Sequence, residues 1–526
     1  MADRLSAQDT VFLYAQRESQ PSHVGGVVIL EPLEKSRRRR SGADGRPATQ
    51  PDPAAEATSD YERILAHISA RLPLVPRYRQ RVRAVPGRLA RPVWIDDESF
   101  DITYHVRRSA LPSPGTDAQL NDLVGRLISR PLDLDRPLWE IYVVEGLAGG
   151  RVAIVNKTHE AMVDRLGAVD LAAAILDLSA EPRATEPVDL WVPEPAPSDA
   201  DLLVDAVSDL LARPSDMADV LRLGVADLRS TAGRVARTVS GIAGIVQQTI
   251  SPAPRNMLGG AGAGSRRFGT YAADLDEFRA IRAAAAGATG GQQQAQTSGQ
   301  TRAVPADRRG HGQRGGAPDA GRVATVHDVM LTVLTGALRG WLLAHGEPTT
   351  DASGIRALVP MSVRAPGGVA TVTSLLVDLP VGEPNPAVRL HQIAFQTEAF
   401  TTRVVGESGR QLGADTLAAL GRYTPPTLHA LGARLGAQLS RRSYNLLVTN
   451  VPGPQVPLYI AGSLVSAMYP VAPLVTGQAL AVACTSYRGK VFYGLTTDRM
   501  AVPDTSDFTE LLGDATAELA AAVGVP

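Results

Sequence analysis

Apolar positions along this chain alternate between two periods, and the changes of period mark out its elements. Ser6-Ala-Gln-Asp9 is a Ser-x-x-acid box that predicts a short helix through Val11, Phe12 and Leu13. The run His23-Val-Gly-Gly-Val-Val-Ile-Leu30 reads as a strand whose glycines admit another backbone closely. From Tyr61, the positions Ile64, Leu65, Ile68 and Leu72 fall on one helical face. Strands are expected at 92–95 and 104–107, and a helix at 120–128. Residues 150–155 form a β-branched apolar run that reads as a buried strand. Beyond it Leu166, Val169, Leu171, Ile175, Leu176 and Leu178 recur at roughly helical spacing. His159, Glu160 and Asp164 therefore sit where a strand gives way to a helix.

From 183 to 267 the pattern is that of a helical connector. Leu202, Leu203, Val207, Leu210 and Leu211 share one face, and a second amphipathic run covers 218–250. Such faces usually pack on their own protein; a membrane-surface helix is the alternative. A long apolar helix is expected from Ala324 to Arg339, strands at 359–364 and 374–383, and helices at 386–400 and 416–438. Asn445-Leu-Leu-Val-Thr-Asn-Val-Pro-Gly-Pro454 predicts a strand running into a turn. Two stretches break the periodicity, 35–58 and 284–322. Both are rich in Gly, Pro, Gln or Arg and predict disordered insertions. The organisation expected is an N-terminal domain over 1–182, the connector over 183–267, and a C-terminal domain over 268–526.

Composition narrows the class. A chain of 526 residues, 44% of them hydrophobic, can bury a sizeable core, and 49 glycines and 38 prolines imply long loops. A net charge of -1 supplies no field to recruit nucleic acid. The single cysteine, Cys484, forbids an internal disulfide, fits a reducing compartment and lies in an apolar run as buried filler. No uninterrupted span of ~20 apolar residues appears, so no transmembrane helix is expected. A cytoplasmic or membrane-peripheral protein follows, since residues 1–9 also lack the apolar core of a signal peptide. Gly259-Gly-Ala-Gly-Ala-Gly264 lacks the Lys-Ser/Thr of a phosphate loop and reads as a linker. No metal-ligand spacing stands out.

The chemistry-bearing stretch is Asn156-Lys-Thr-His-Glu-Ala-Met-Val-Asp-Arg165. One His beside one Glu is also what a hydrogen-bonded histidine at a helix start presents, so the flanks decide. The stretch resembles the HHxxxDG motif of the wax ester synthase/diacylglycerol acyltransferase family, within the wider CoA-dependent acyltransferases. His159 fills the first histidine position and Asp164 the aspartate. Glu160 stands where the family has its catalytic histidine, and Arg165 replaces the glycine. The resemblance extends to Leu5-Ser-x-x-Asp9 with His23-Val-Gly-Gly26, to Pro137-Leu-Trp139, and to His327-Asp328 where the family has Asn-Asp. It continues through Asn445–Pro454, Tyr469–Leu474 and Gly477–Leu480. Residues 368–373 lack the asparagine usual there.

The resemblance implies an α/β (α+β) fold of two chloramphenicol-acetyltransferase-like domains, each a mixed sheet with helices. It implies O-acyl transfer from acyl-CoA to diacylglycerol or a long-chain alcohol in a tunnel between them, with His159 or Glu160 as base and Asp164 structural. His327, Asp328 and Asn450 become candidates for the substrate cleft; for Asp328, a favourable place at a helix N-terminus is role enough. Acyl-CoA enters as substrate, with no further cofactor. The partners are acyl-CoA and a neutral lipid, with peripheral contact to a membrane or lipid droplet. Glutamate is a weaker base than histidine by about two pKa units, or ~3 kcal/mol of proton-transfer driving force. The alternatives are a homologue that binds acyl-CoA or neutral lipid without turnover, and acyl transfer to another lipid hydroxyl.

Overall fold

The computed structural model describes residues 3–5, 9–10, 13, 23–33, 59–88, 90–162, 171–182, 191–212, 253–254, 256–259, 264–297, 324–350, 353–364, 370–408, 443–475 and 477–525. The insertion expected at 35–58, the runs at 218–250 and 416–438, and Asp164 lie outside these residues.

In the first half the strands are β1 (Asp3–Arg4), β2 (His23–Leu30), β3 (Gln80–Arg83), β4 (Val93–Asp96), β5 (Val106–Ala110), β6 (Trp139–Glu145) and β7 (Val152–His159). Helix α1 (Asp60–Arg71) begins at a capping box made by Ser59 and Glu62, and α2 (Asp117–Ser129) at one made by Thr116 and Gln119. Helix α3 (Asp199–Ala212) lies within the expected connector and buries Leu202 and Ala206. The second half holds β8 (Arg266–Asp274), α4 (Leu275–Thr297), α5 (Val326–Ala344), β9 (Ile355–Arg364), β10 (Ala370–Leu379) and α6 (Pro386–Ser408). It ends with β11 (Leu446–Pro452), β12 (Tyr459–Ile460), β13 (Ser463–Val471), β14 (Leu480–Tyr487), β15 (Lys490–Asp498) and α7 (Thr505–Ala522).

Two mixed six-stranded sheets organise the molecule, in the orders β12-β13-β2-β7-β6-β5 and β10-β9-β11-β14-β15-β8. A small sheet, β1-β4-β3, stands beside the first. The first sheet is buried on both faces, which is why its strands read as near-continuous apolar runs. Along β7, Val152 and Ile154 join a cluster with Leu30, Ile68 and Met468, while Ala153 and Val155 pack on Leu120, Val124 and Leu127 of α2. The second sheet lays Val448, Val482 and Tyr493 against α5, α6 and α7, whose Leu334, Trp341, Ile393 and Phe508 complete its core. Each such side chain contributes about 1.5–3 kcal/mol on full burial. Trp139 anchors the first core as expected, its indole N–H donating to the Tyr78 carbonyl at 2.7 Å.

Some expectations needed redrawing. Strand β7 does not stop at 155 but runs to His159, because Asn156, Lys157 and Thr158 pair with Gly26, Gly25 and Val24 of β2. Residues 102–105 form one helical turn before β5, so the strand expected at 104–107 begins only at Val106. Helix α4 continues to Thr297, into the insertion expected from 284, and the boundary drawn at 268 falls inside β8. The range 268–526 is not one sheet's territory: β12 and β13 belong to the first sheet, with Tyr469 opposite Val27 and Val471 opposite Gly25. Gly494 of β15 meets β13 so closely that a Cβ there would stand 1.9 Å from the Pro470 carbonyl oxygen. Among the described residues, no helix is long and apolar enough to cross a membrane.

Candidate active site

Strand β7 carries the motif to its end between two neighbours. His159 lies opposite His23 of β2, and its backbone N–H donates to the Leu138 carbonyl at 2.9 Å. The side chain is 0% exposed, and Nδ1 accepts the N–H of Ala161 at 3.0 Å. That bond closes the 3₁₀ turn Glu160–Met162, which opens on Glu160, itself only 4% exposed. Close pairing of β2 and β7 here needs Gly25: a Cβ at that position would sit 2.0 Å from the Asn156 carbonyl oxygen.

Beneath the motif lies a group of buried charges. Lys157, two residues before His159 and on the same face, is 1% exposed and pairs with Glu140 of β6 at 2.8 Å. Its Nζ also donates to the Arg130 carbonyl at 3.1 Å, beside the C-terminal end of α2, where the helix dipole favours a cation. Burial lowers the Lys157 pKa from its ordinary value, and Glu140 opposes the shift. Glu140 further accepts from Arg107 at 3.1 Å and from the Tyr142 hydroxyl at 2.9 Å. Burial first, then Glu140, pushes Tyr142 up to about 12. His23 donates Nε2–H to the Ile128 carbonyl at 2.7 Å and is held neutral, chiefly by burial and then by the charge of Lys157. Sequence reasoning did not find this network. Its one local sign is a lysine and a glutamate inside otherwise apolar strands.

On the other face of β7, Ile154 and Asn156 line an apolar cavity of about 40 Å³ with Gly26, Ile175, Met468 and Thr485. It lies between the first sheet and β14.

The second-sheet candidates form a separate group. Thr325 caps α5, and the Asp328 carboxylate accepts the Thr325 N–H and hydroxyl, each at 2.7 Å. Its other oxygen accepts the Thr397 hydroxyl at 2.7 Å, so Asp328 is a structural cap that ties α5 to α6. His327 and Asn450, 123 residues apart, are brought together: Asn450 Nδ2 lies 2.8 Å from His327 Nδ1. Burial lowers the His327 pKa and neighbouring Asp328 raises it, the first being larger. Cys484 is buried, and that raises its thiol pKa well above the ordinary value, so it is no nucleophile.

Comparisons with known proteins agree with this geometry. The wax ester synthase/diacylglycerol acyltransferase catalytic domain matches residues 5–289, and the corresponding C-terminal domain residues 370–520. A probable diacyglycerol O-acyltransferase of Mycobacterium tuberculosis, tgs2, is 30% identical over 99% of this chain and 100% of its own length. Another from that organism, tgs3, is 41% identical over 54% of this chain and 96% of its own length. The solved wax ester synthase/diacylglycerol acyltransferase of Marinobacter aquaeolei VT8 shares the fold, with a TM-score of 0.61 over 99% of this chain and 100% of that one, at 24% identity. The class defined is that of acyltransferases built from paired α/β sheets. Within it, this chain belongs to the wax ester synthase/diacylglycerol acyltransferase family.

Proposed function

We propose that this protein moves a long-chain acyl group from acyl-CoA to the hydroxyl of diacylglycerol or a long-chain alcohol, with Glu160 as the base. The observation that carries the assignment is the hydrogen bond from the Ala161 N–H to His159 Nδ1. A neutral imidazole has one basic nitrogen. In His159 that nitrogen is engaged by the backbone, which makes the ring a support for the turn and leaves the Glu160 carboxylate to accept a proton.

The steps follow from that division. Glu160 takes the proton of the acceptor hydroxyl as its oxygen attacks the thioester carbonyl carbon. The carbonyl π pair moves onto oxygen, and collapse of the tetrahedral intermediate breaks the C–S bond. The departing thiolate recovers the proton from Glu160, so no acyl-enzyme forms and no cofactor beyond the CoA thioester is needed. Burial of the motif excludes the water that would otherwise hydrolyse the thioester. Peripheral contact with a membrane or lipid droplet belongs to the same reading.

The test is acceptor-dependent thiol release from palmitoyl-CoA with dioleoylglycerol. Glu160→Gln should lose about 10²–10⁴-fold in kcat, the range of a general base. Full activity in that variant would remove Glu160 from the mechanism. A second reading, binding of acyl-CoA or neutral lipid without turnover, is favoured by the carboxylate at the histidine position. It gains the field if wild-type protein binds palmitoyl-CoA yet releases no thiol with any acceptor.

A further inference from the structure

The C-terminal end of α2 is where both strands at the motif are fastened. A helix ends on carbonyls that have no partner within it. Here Lys157 of β7 takes those of Leu127 and Arg130, at 3.4 and 3.1 Å, and His23 of β2 takes that of Ile128 at 2.7 Å. His23 stands opposite His159, and Lys157 is the neighbour of His159 along the same face of β7. The helix that receives them also meets the second sheet. The Arg266 N–H of β8 donates to Ser129 Oγ at 2.7 Å, and Asn121 Nδ2 donates to Thr270 Oγ1 at 3.1 Å. One helix is thus the common reference for the motif and for both sheets.

Lys157 supplies the fullest of these ties. An ammonium has three N–H donors, and its third meets Glu140 at 2.8 Å. All three are engaged inside the fold, and none is left for a substrate. Stability alone does not account for the pair, because well-packed apolar residues in place of a buried ion pair often leave a fold as stable or more so. What the pair adds is direction. Three bonds of fixed geometry set where the end of β7 lies along α2, and His159 and Glu160 follow within three residues.

We propose that Lys157 is a positioning residue that acts through His159. It sets the end of β7 against α2 so that the bond from the Ala161 N–H to His159 Nδ1 forms and the turn opening on Glu160 is held in place. The consequence for turnover rests on the acyl-transfer reading above; the consequence for the His159 bond does not.

The test compares wild type with Lys157→Met and with Lys157→Met combined with Glu140→Gln. The single variant strands a buried carboxylate and should lose stability. The double variant keeps an acceptor for Arg107 and the Tyr142 hydroxyl and should melt near wild type. In thiol release from palmitoyl-CoA with dioleoylglycerol, both should lose about 10²-fold in kcat, the cost of a misplacement of about 1 Å, with KM little changed. Where the single variant fails to fold, the double variant decides. A double variant that fails to fold, or one that regains wild-type kcat along with its melting temperature, overturns the inference, since the tie would then serve the fold alone. ¹⁵N NMR supplies a readout independent of turnover. His159 Nδ1 should show a hydrogen-bonded acceptor in the wild type and lose that signature in the double variant; an unmoved signal overturns the inference. A wild type that releases no thiol with any acceptor, yet gives the expected change at His159, overturns the acyl-transfer reading alone.

Discussion

Three histidines of the N-terminal half are folded in as neutral rings. His23, His67 and His105 donate to or face backbone carbonyls at 2.7–2.8 Å, and burial is the leading cause of a lowered pKa in each. The sign of the pH effect follows. Above about pH 6.5 the rings are neutral whether the chain is folded or not, and their contribution is complete. Below that value the unfolded chain binds protons that the folded one refuses, so stability falls with pH, by up to ~1.4 kcal/mol per unit for each ring. Urea unfolding at about pH 7.5 and about pH 5.5 should show this, with a shallower dependence in His23→Gln; equal slopes would count against it. The sequence exposed these residues unevenly. His159 and Glu160 were legible because they follow an apolar run within a stretch that resembles the family's histidine motif. The partners of Lys157 were not, because its pairing with Glu140 depends on the register of two strands that periodicity alone cannot supply.

Among the elements, α5 shows how a local signal holds when tertiary contacts agree with it. The place of Asp328 near a helix N-terminus was readable in the sequence, while its capping box with Thr325 and its bond from the Thr397 hydroxyl come from the structure. Thr325→Ala should therefore cost about 1 kcal/mol, the usual loss of a cap. Asp328→Ala should cost more, because the tie from α5 to Thr397 of α6 is lost as well. Thermal melts of the two variants check this, and equal shifts would contradict it. Strand β7 shows the opposite case. Its last residues are too polar to announce a strand, yet pairing on both sides and the buried Lys157–Glu140 contact hold them extended. The first-half helices were legible because their apolar spacing spans several turns, although the start of α2 lies three residues before the expected 120.

For the whole molecule, the decisive feature is the passage of β12 and β13 into the first sheet. Tyr487 fastens it: its buried hydroxyl accepts the Leu458 N–H at 2.8 Å and donates to the Val465 carbonyl at 3.1 Å. Tyr487→Phe should cost about 1–3 kcal/mol, since both backbone groups lose their partner. Urea unfolding should show that loss in one transition for both halves; two separate transitions would mean that the sheets are independent. No local pattern announces the passage. The turn residues at 452–454 are legible, but the sheet that receives the next strand is chosen by contacts between distant segments.

That passage also sets a schedule for synthesis. Strand β2 emerges early, yet its partner on one side, β13, follows roughly 430 residues later. At about 5–20 residues per second, the apolar edge of β2 stays open on the ribosome for about 20 to 90 seconds. Both sheets wait for C-terminal strands, the first for β13 ending at Val471 and the second for β15 ending at Asp498, so neither closes until nearly the last strand is made.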